Sequence, residues 1–476
     1  DYSGEPTAEQ KIRFGEEPKK VFLFNSNLNL EREIPFNFFS FVPWLKDLSE
    51  PRLKILSRFN QSFPDPNTRN YAYLDDMESA TLEILAELNH LNWIYGSLPS
   101  YLKDSTNGYI RTYEDYFENN LIWFETNKFL YKDIYPYIPG QQGNRTLSVL
   151  EVILKPGSKG DAGFASLNQL ISKDGVDITS YGYLEVIVKG KSGIIGIDIA
   201  SEISEDACFR DARGNLIGIG KENSEDGANG GWEDGKLQPI EDVGLDMIPD
   251  GQEGDAGNDN YEYGNINKIN GTEGNGKLDK EDIDGDGFNL DREDCFTYII
   301  DLTKDYYQIH NGFKFYKIPL EKFTKKYGNP EMIRIEKIRI FFTGFSGIDT
   351  VYIAKISLTG NKYLPQGVFN NGNPVTDPDK KFTVLTYSNQ EDANIYKPPP
   401  DAVIERTQEG ESEERTLVLR FENFGQGDYG AATKKLFSPQ DYWQYKKISF
   451  YLKSYPDTLS NKPHFFVKFV TVDTNN

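Results

Sequence analysis

Histidine and cysteine are nearly missing from this 476-residue chain, which holds three of the first and two of the second. That scarcity argues against zinc sites, iron–sulfur clusters and histidine-based acid–base chemistry. No apolar run of about 18 residues occurs, so no membrane-spanning helix is expected; membrane β-strands leave too weak a signal to be judged this way. Basic residues are also short, with 52 Lys+Arg against 74 Asp+Glu and a net charge of -22. Nucleic acid and anionic membrane surfaces select basic patches and are poor partners for such a chain. No Gly-x-Ser-x-Gly, phosphate-binding glycine loop or His-Glu-x-x-His is present, and His90, His310 and His464 stand singly. Paired carboxylates alone would permit glycoside hydrolysis, but nothing here requires an enzyme.

What is present is aromatic and β-rich. Hydrophobic residues make up 38% and aromatics 14%, too much apolar matter for an acidic disordered tail. Strand patterns, β-branched or aromatic and separated by Gly, Asn, Asp and Pro, are read at 80–85, 146–154, 183–189, 193–200, 296–302, 333–343 and 350–358. A short helix is expected from Leu320 to Tyr327, stopped by Gly328, Asn329 and Pro330. The fold class is mainly β: a β-sandwich of jelly-roll type over 71–360, interrupted by an acidic insertion at 205–294. The prolines between 361 and 412 suit an extended linker. A weak repeat relates Arg145–Leu150 to Arg415–Arg420, so 413–476 reads as the first half of a second sandwich. The chain begins without Met and stops on a strand-like run, which reads as a segment of a larger protein.

The acid is concentrated. Between Glu222 and Asp294 stand 22 Asp+Glu, five Lys+Arg and 14 of the 42 glycines, with almost no contiguous apolar run. Without counter-ions such a stretch should be disordered. Within it, Asp282, Asp284 and Asp286, Gly287 beyond them, and Glu293 follow a calcium-loop pattern of alternating carboxylates closed by a bidentate acid. Phe288 would lend its backbone carbonyl; Asn289 and Leu290 depart from the pattern. Ca2+ takes about six to eight hard oxygens, which such a turn can supply. Glu273, Asn275 and Asp279 form a degenerate neighbour, and Asp246 and Asp250 belong to a third cluster with Glu253 and Asp255. The plain alternative is a solvated acidic loop.

Cys208 and Cys295 flank the insertion. An insertion leaves and re-enters its domain at neighbouring points, so a Cys208–Cys295 disulfide would close the neck and stabilise by roughly 4–5 kcal/mol in an oxidising compartment. Two unrelated buried thiols are the alternative.

Several segments resemble the SprA/Sov family, the giant outer-membrane translocon of the type IX secretion system, also a gliding-motility protein. Tyr71-Ala72-Tyr73-Leu74-Asp75-Asp76-Met77-Glu78-Ser79-Ala80 resembles the family's Y-I-D-D-F-E-G/A-S segment, with Met77 for the usual Phe. Ile269-Asn270-Gly271-Thr272-Glu273-Gly274-Asn275 is similar to its I-N-G-T-E-G-N run. Ile338–Phe345 and Leu417–Asn423 resemble its strand motifs. Val42–Leu45 and Asn119–Phe124 are weaker matches. The resemblance implies a very large outer-membrane β-barrel with sandwich insertions, residues 1–70 being barrel wall or plug. It implies protein export toward the cell surface. The partners it implies are cargo bearing a C-terminal sorting domain, a smaller outer-membrane barrel and plug proteins. A calcium-stiffened cap or wall on the extracellular side is the expected role of this segment. A calcium-dependent surface adhesin or carbohydrate-binding jelly roll is the alternative, with Trp93, Trp123, Trp232 and Trp443 as candidate sugar platforms.

Overall fold

The computed structural model describes residues 11–470 except 14–16, 34–51, 66, 69–70, 75–76, 78–80, 106–109, 117–120, 136–137, 139–141, 212, 257–258, 288–291, 305, 401, 405, 408–409, 412, 436–441, 443–444 and 455–463. The aromatic run Phe36–Phe39, Trp443 and Phe288 lie outside the described residues. The chain divides into two units: Asp1–Asp76 with Pro399–Arg406 and Leu436–Asn476, and Met77–Pro398 with Thr407–Lys435.

The first unit carries a long antiparallel ribbon of β1 (Lys20–Glu33) and β2 (Arg52–Asp65). Its side chains alternate strictly. Phe22, Phe24, Leu28 and Leu30 share a face with Leu53, Ile55, Phe59 and Phe63, because cross-strand partners point the same way. The opposite face pairs Asn25 with Asn60, Asn27 with Arg58 and Glu31 with Lys54, and also carries Val21, Leu23 and Leu56. Every residue of both strands is exposed.

The second unit is built from β3 (Thr81–Leu85), β4 (Ile94–Tyr95), β5 (Leu121–Leu130), β6 (Thr146–Leu154), β7 (Phe164–Leu170), β8 (Tyr181–Lys189) and β9 (Ile194–Glu202), then the insertion with its small β10 (Phe209–Arg210) and β11 (Leu216–Ile217). After the insertion come β12 (Asp294–Asp301), β13 (Gln308–His310), β14 (Phe313–Pro319), β15 (Lys325–Tyr327), β16 (Lys337–Thr343) and β17 (Asp349–Asn361). They form two antiparallel sheets. One is six-stranded in the order β15-β12-β9-β16-β7-β4. The other is seven-stranded, β13-β14-β8-β17-β6-β5, with β3 also on β17. Alternation with a period of two sends Ile195, Ile197, Ile199, Tyr298, Ile338, Ile340 and Phe342 of the first sheet into one core with Leu150, Val152, Leu184, Val186, Val188, Val351 and Ile353 of the second. Each such side chain contributes about 1.5–3 kcal/mol on burial. This is the expected jelly-roll-like β-sandwich.

Two expectations are corrected. Leu320–Lys322 is a single 3-10 turn, and Lys325–Tyr327 is strand because it pairs with Cys295–Thr297. Residues 361–412 are not an extended linker: β18 (Leu364–Asn370), β19 (Asn373–Pro374) and β20 (Lys381–Ser388) lie there, followed by β21 (Arg406–Thr407) and β22 (Gly410–Glu411). β23 (Arg415–Glu422) pairs with β20, and β24 (Asp428–Thr433) pairs with β18. Prolines are tolerated because Pro365 precedes a register shift in β18 and Pro374 sits in an edge strand.

Candidate functional site

The insertion leaves β9 and returns as β12, which pairs with β9 so that Asp294 lies opposite Glu202. Its neck is therefore closed by a β-ladder. Cys208 and Cys295 are free and buried. Cys208 packs with Tyr116, Phe164 and Phe341, whereas Cys295 packs with Ala200 and Ile203. The expected disulfide is absent, and burial pushes both thiols up in pKa, first by desolvation.

Alternation on β16 puts Lys337 and Arg339 on the face opposite the core, where a solvent-facing sheet would show them. Both are instead 0% exposed. Arg339 donates through Nε to Asp198 (2.7 Å), through Nη1 to Ser97 Oγ (2.8 Å), and through Nη1 and Nη2 to Glu293 (2.8 and 2.6 Å). Lys337 Nζ reaches Glu202 (2.5 Å), Glu205 (2.8 Å) and Asp284 (2.7 Å). Glu205 begins the insertion; Asp284 and Glu293 end it. Two sheet cations thus hold both ends of the acidic segment over the sheet.

This arrangement recasts the expected calcium loop. The three aspartates Asp282, Asp284 and Asp286 are split between two groups that share Asp284: carboxylate oxygens of Glu205, Asp282 and Asp284, and of Glu202, Asp284 and Asp286, lie within 4.8 Å in each group. Lys337 stands among them. Asp282 accepts the amides of Gly285 (2.5 Å) and Gly287 (3.1 Å). Burial works to raise Asp284, but the hydrogen bond and charge of Lys337 prevail and its pKa is lowered. Glu205 is pushed up to about 8 by burial, with Asp284 and Asp282 adding to the rise against Lys337. Glu293 does not close the loop, because its carboxylate is engaged by Arg339.

Further in, carboxylates replace a hydrophobic core. Glu225 accepts the amides of Gly244 and Asp279, both at 2.8 Å. Glu241 accepts those of Gly227 and Gln238. Glu281 accepts those of Asn223 and Ala207. All three acids are fully buried. Loop amides that no ladder could satisfy thereby find acceptors. Burial, aided by nearby acids, lifts Glu225 to about 8 and Glu281 to about 9. The apolar part of the insertion is small: Ala207, Phe209, Leu245 and Ala256, with Tyr95 and Ile217 against them.

The remaining sequence candidates divide. Asn275 donates to Asp279 (2.5 Å), which also meets Lys277 at 3.5 Å. Glu273 accepts the Asp250 amide (2.5 Å) and Asn260 Nδ2 (3.1 Å); the Asp250 side chain is exposed. Asp246 accepts the amides of Ile248 and Ala256, both at 2.8 Å. It is grouped with Asp255 and Asp259, one oxygen of each lying within 4.8 Å of the others. Asp259 was not singled out by sequence, since nothing in its spacing marks it. It is 1% exposed, and neither of its carboxylate oxygens has a hydrogen-bond partner among the described residues. Burial first, then the charges of Asp246, Glu273 and Asp255, raises it to about 8.

No family model matches the chain, and no curated protein does. Among solved structures it is similar to a family 11 carbohydrate-binding module from Clostridium thermocellum in complex with a β-1,3-1,4-mixed-linked tetrasaccharide (10% identity, 59% of this chain and 96% of that one, TM-score 0.24). It is also similar to the family 30 module of a cellulosomal cellulase of the same organism (11%, 52% and 95%, TM-score 0.20). A mannan-recognising module gives 10% identity over 59% and 99%, with a TM-score of 0.18. At these scores the strands themselves, not the likeness, define the fold as a β-sandwich.

Proposed function

We propose that this chain is a non-catalytic segment of an outer-membrane protein-export channel, its sandwich a rigid extracellular-side cap or wall. The observation that carries the reading is the β1–β2 ribbon. A 14-residue strand reaches about 46 Å at roughly 3.3 Å per residue, enough to cross an apolar band about 25 Å tall at the usual tilt of about 40°. One face is dominated by Phe, Leu and Ile, interrupted by Ser26, Ser57 and Gln61. The other carries Asn and paired charges along its middle, with Val21, Leu23 and Leu56 among them, a bias that suits a barrel wall with lipid outside and water inside. In this reading both ribbon edges pair with further barrel strands, which removes the exposed edges.

The sandwich suits a passive wall. Its six-stranded face is covered by the insertion together with Leu98, Tyr101, Leu102 and Tyr116, and its seven-stranded face carries the buried ion group of Glu185 with Lys317 and Lys355. The proposed partners are the outer membrane, exported cargo with a C-terminal sorting domain, a smaller outer-membrane barrel and plug proteins.

The test compares Phe24→Arg with Asn25→Arg in the whole protein, scoring folded protein recovered in outer membranes. A charge on the lipid face costs about 2–4 kcal/mol at the bilayer midplane, so Phe24→Arg lowers recovery and Asn25→Arg leaves it near wild type. Equal recovery overturns the reading. A second reading, a sugar-binding jelly roll, is favoured by Trp232 and Tyr263, which are 74% and 92% exposed on the insertion. Glycan-array binding that disappears in Trp232→Ala would support it.

A further inference from the structure

Four groups of Asp, Glu and Cys side chains in the described residues bring three ligand atoms within 4.8 Å. Three of the four are served by a cation of the protein itself: Asp198, Glu293 and Cys295 by Arg339, and the two groups that share Asp284 by Lys337. The fourth, Asp246 with Asp255 and Asp259, differs. No described Lys or Arg pairs with Asp246 or Asp259, and Asp259 is a buried carboxylate that meets no donor. An ionised carboxylate in that position is costly unless a positive charge faces it.

We propose that Asp246, Asp255 and Asp259 bind a divalent cation, Ca2+, that ties these three positions of the insertion together. Calcium holds oxygens at about 2.3–2.6 Å, so ligands on opposite sides of one ion stand roughly 4.8 Å apart, the limit within which these three atoms fall. The carboxylates are aimed by the backbone. Asp246 is fixed by the amides of Ile248 and Ala256, and Asp255 Oδ2 accepts that of Gly251 at 3.2 Å. Gly244, with φ of +73°, leaves the room: a Cβ there would come within 2.5 Å of Asp259 Oδ2. The ligand set is all hard oxygen, without His or Cys, which selects Ca2+ or Mg2+ over zinc and copper. Irregular loop backbone favours calcium, because Mg2+ demands near-ideal octahedral geometry and keeps several waters. The ion would cross-link three loop positions where the local apolar cluster is small.

The site stands apart from the membrane reading and from the twelve-residue motif at 282–293. Tyr95 packs with Leu245 and Ala256, the chain neighbours of Asp246 and Asp255, and its ring lies 4.9 Å from that of Trp123. These rings can sensitise terbium bound at the site. The experiment is terbium luminescence of the whole chain with Ca2+ and Mg2+ as competitors, in wild type, Asp259→Asn and Asp286→Asn. Wild type is expected to give sensitised emission displaced by Ca2+ at lower concentration than by Mg2+. Asp259→Asn is expected to weaken binding at least about tenfold, since losing even an outer-shell partner typically costs about 10–100-fold. Asp286→Asn should bind as wild type does. Unchanged binding in Asp259→Asn overturns the proposal, as does loss confined to Asp286→Asn. If Asp259→Asn fails to fold, Asp255→Asn at the partly exposed rim decides by the same criterion.

Discussion

Arg339 lies directly opposite Asp198 on the neighbouring strand, and the two form an ion pair of 2.6 Å in which neither side chain meets solvent. A sheet face that alternation would hand to water has become the floor of an acidic insertion. The same strand supplies Lys337, so two cations two residues apart fasten both ends of the insertion. Breaking the buried pair leaves Asp198 and Glu293 uncompensated. Arg339→Met should destabilise the sandwich by about 3–5 kcal/mol in urea unfolding. The exposed pair of Arg213 with Glu253 gives the control: Arg213→Met should leave the midpoint unchanged.

Glu281 makes the insertion sensitive to pH. Its folded pKa, about 9, lies above the ordinary value of 4.5, chiefly through burial, with the Asp206 charge adding to it. The folded state therefore binds the proton more tightly than the unfolded one, and this group costs stability progressively as pH rises from about 4.5 to about 9. In chelator, protease cleavage within 211–287 should speed up between pH 6 and pH 9. The Ala207 amide binds one Glu281 oxygen and the Asn223 amide the other. Glu281→Gln therefore keeps an acceptor for one of them, loses the other, and removes the titration; it should flatten that rise.

Gly196 is needed for want of a side chain, not for its backbone angles. It sits on β9 beneath the fully buried Phe341 ring, which a Cβ would overlap. Gly196→Ala should lower the thermal midpoint, at a cost of about 1–3 kcal/mol or more.

The thiols should behave as free and buried. Thiol reagent should titrate none in the native protein and two after denaturation, and reductant should leave the melting temperature unchanged. A native protein without titratable thiols after denaturation would restore the Cys208–Cys295 disulfide.

Much of the sandwich was legible because its strands alternate. Thr146–Leu154 was bounded correctly from sequence, 183–189 and 350–358 fall within observed strands, and 193–200 starts one residue before β9. Phe164–Leu170 was missed because Ser166 and Asn168 give its outer side a loop-like composition; that side is buried beneath other segments. The acidic insertion was legible as a cation-seeking segment, but its cations were not. Lys337 and Arg339 look like the solvent side of an ordinary strand, and only the covering of that face reveals them as counter-ions. Asp259 carried no signal, since its role comes from chain packing around Gly244 rather than from spacing.

The membrane assignment of the ribbon is the central claim, and spin labels placed singly from 21 to 30 in the whole protein, reconstituted in lipid, test it most directly. The account predicts a period of two: positions 22, 24, 28 and 30 accessible to lipid-soluble oxygen, and 25, 27 and 29 accessible to a water-soluble nickel chelate. Uniform access of the chelate to both faces would contradict it.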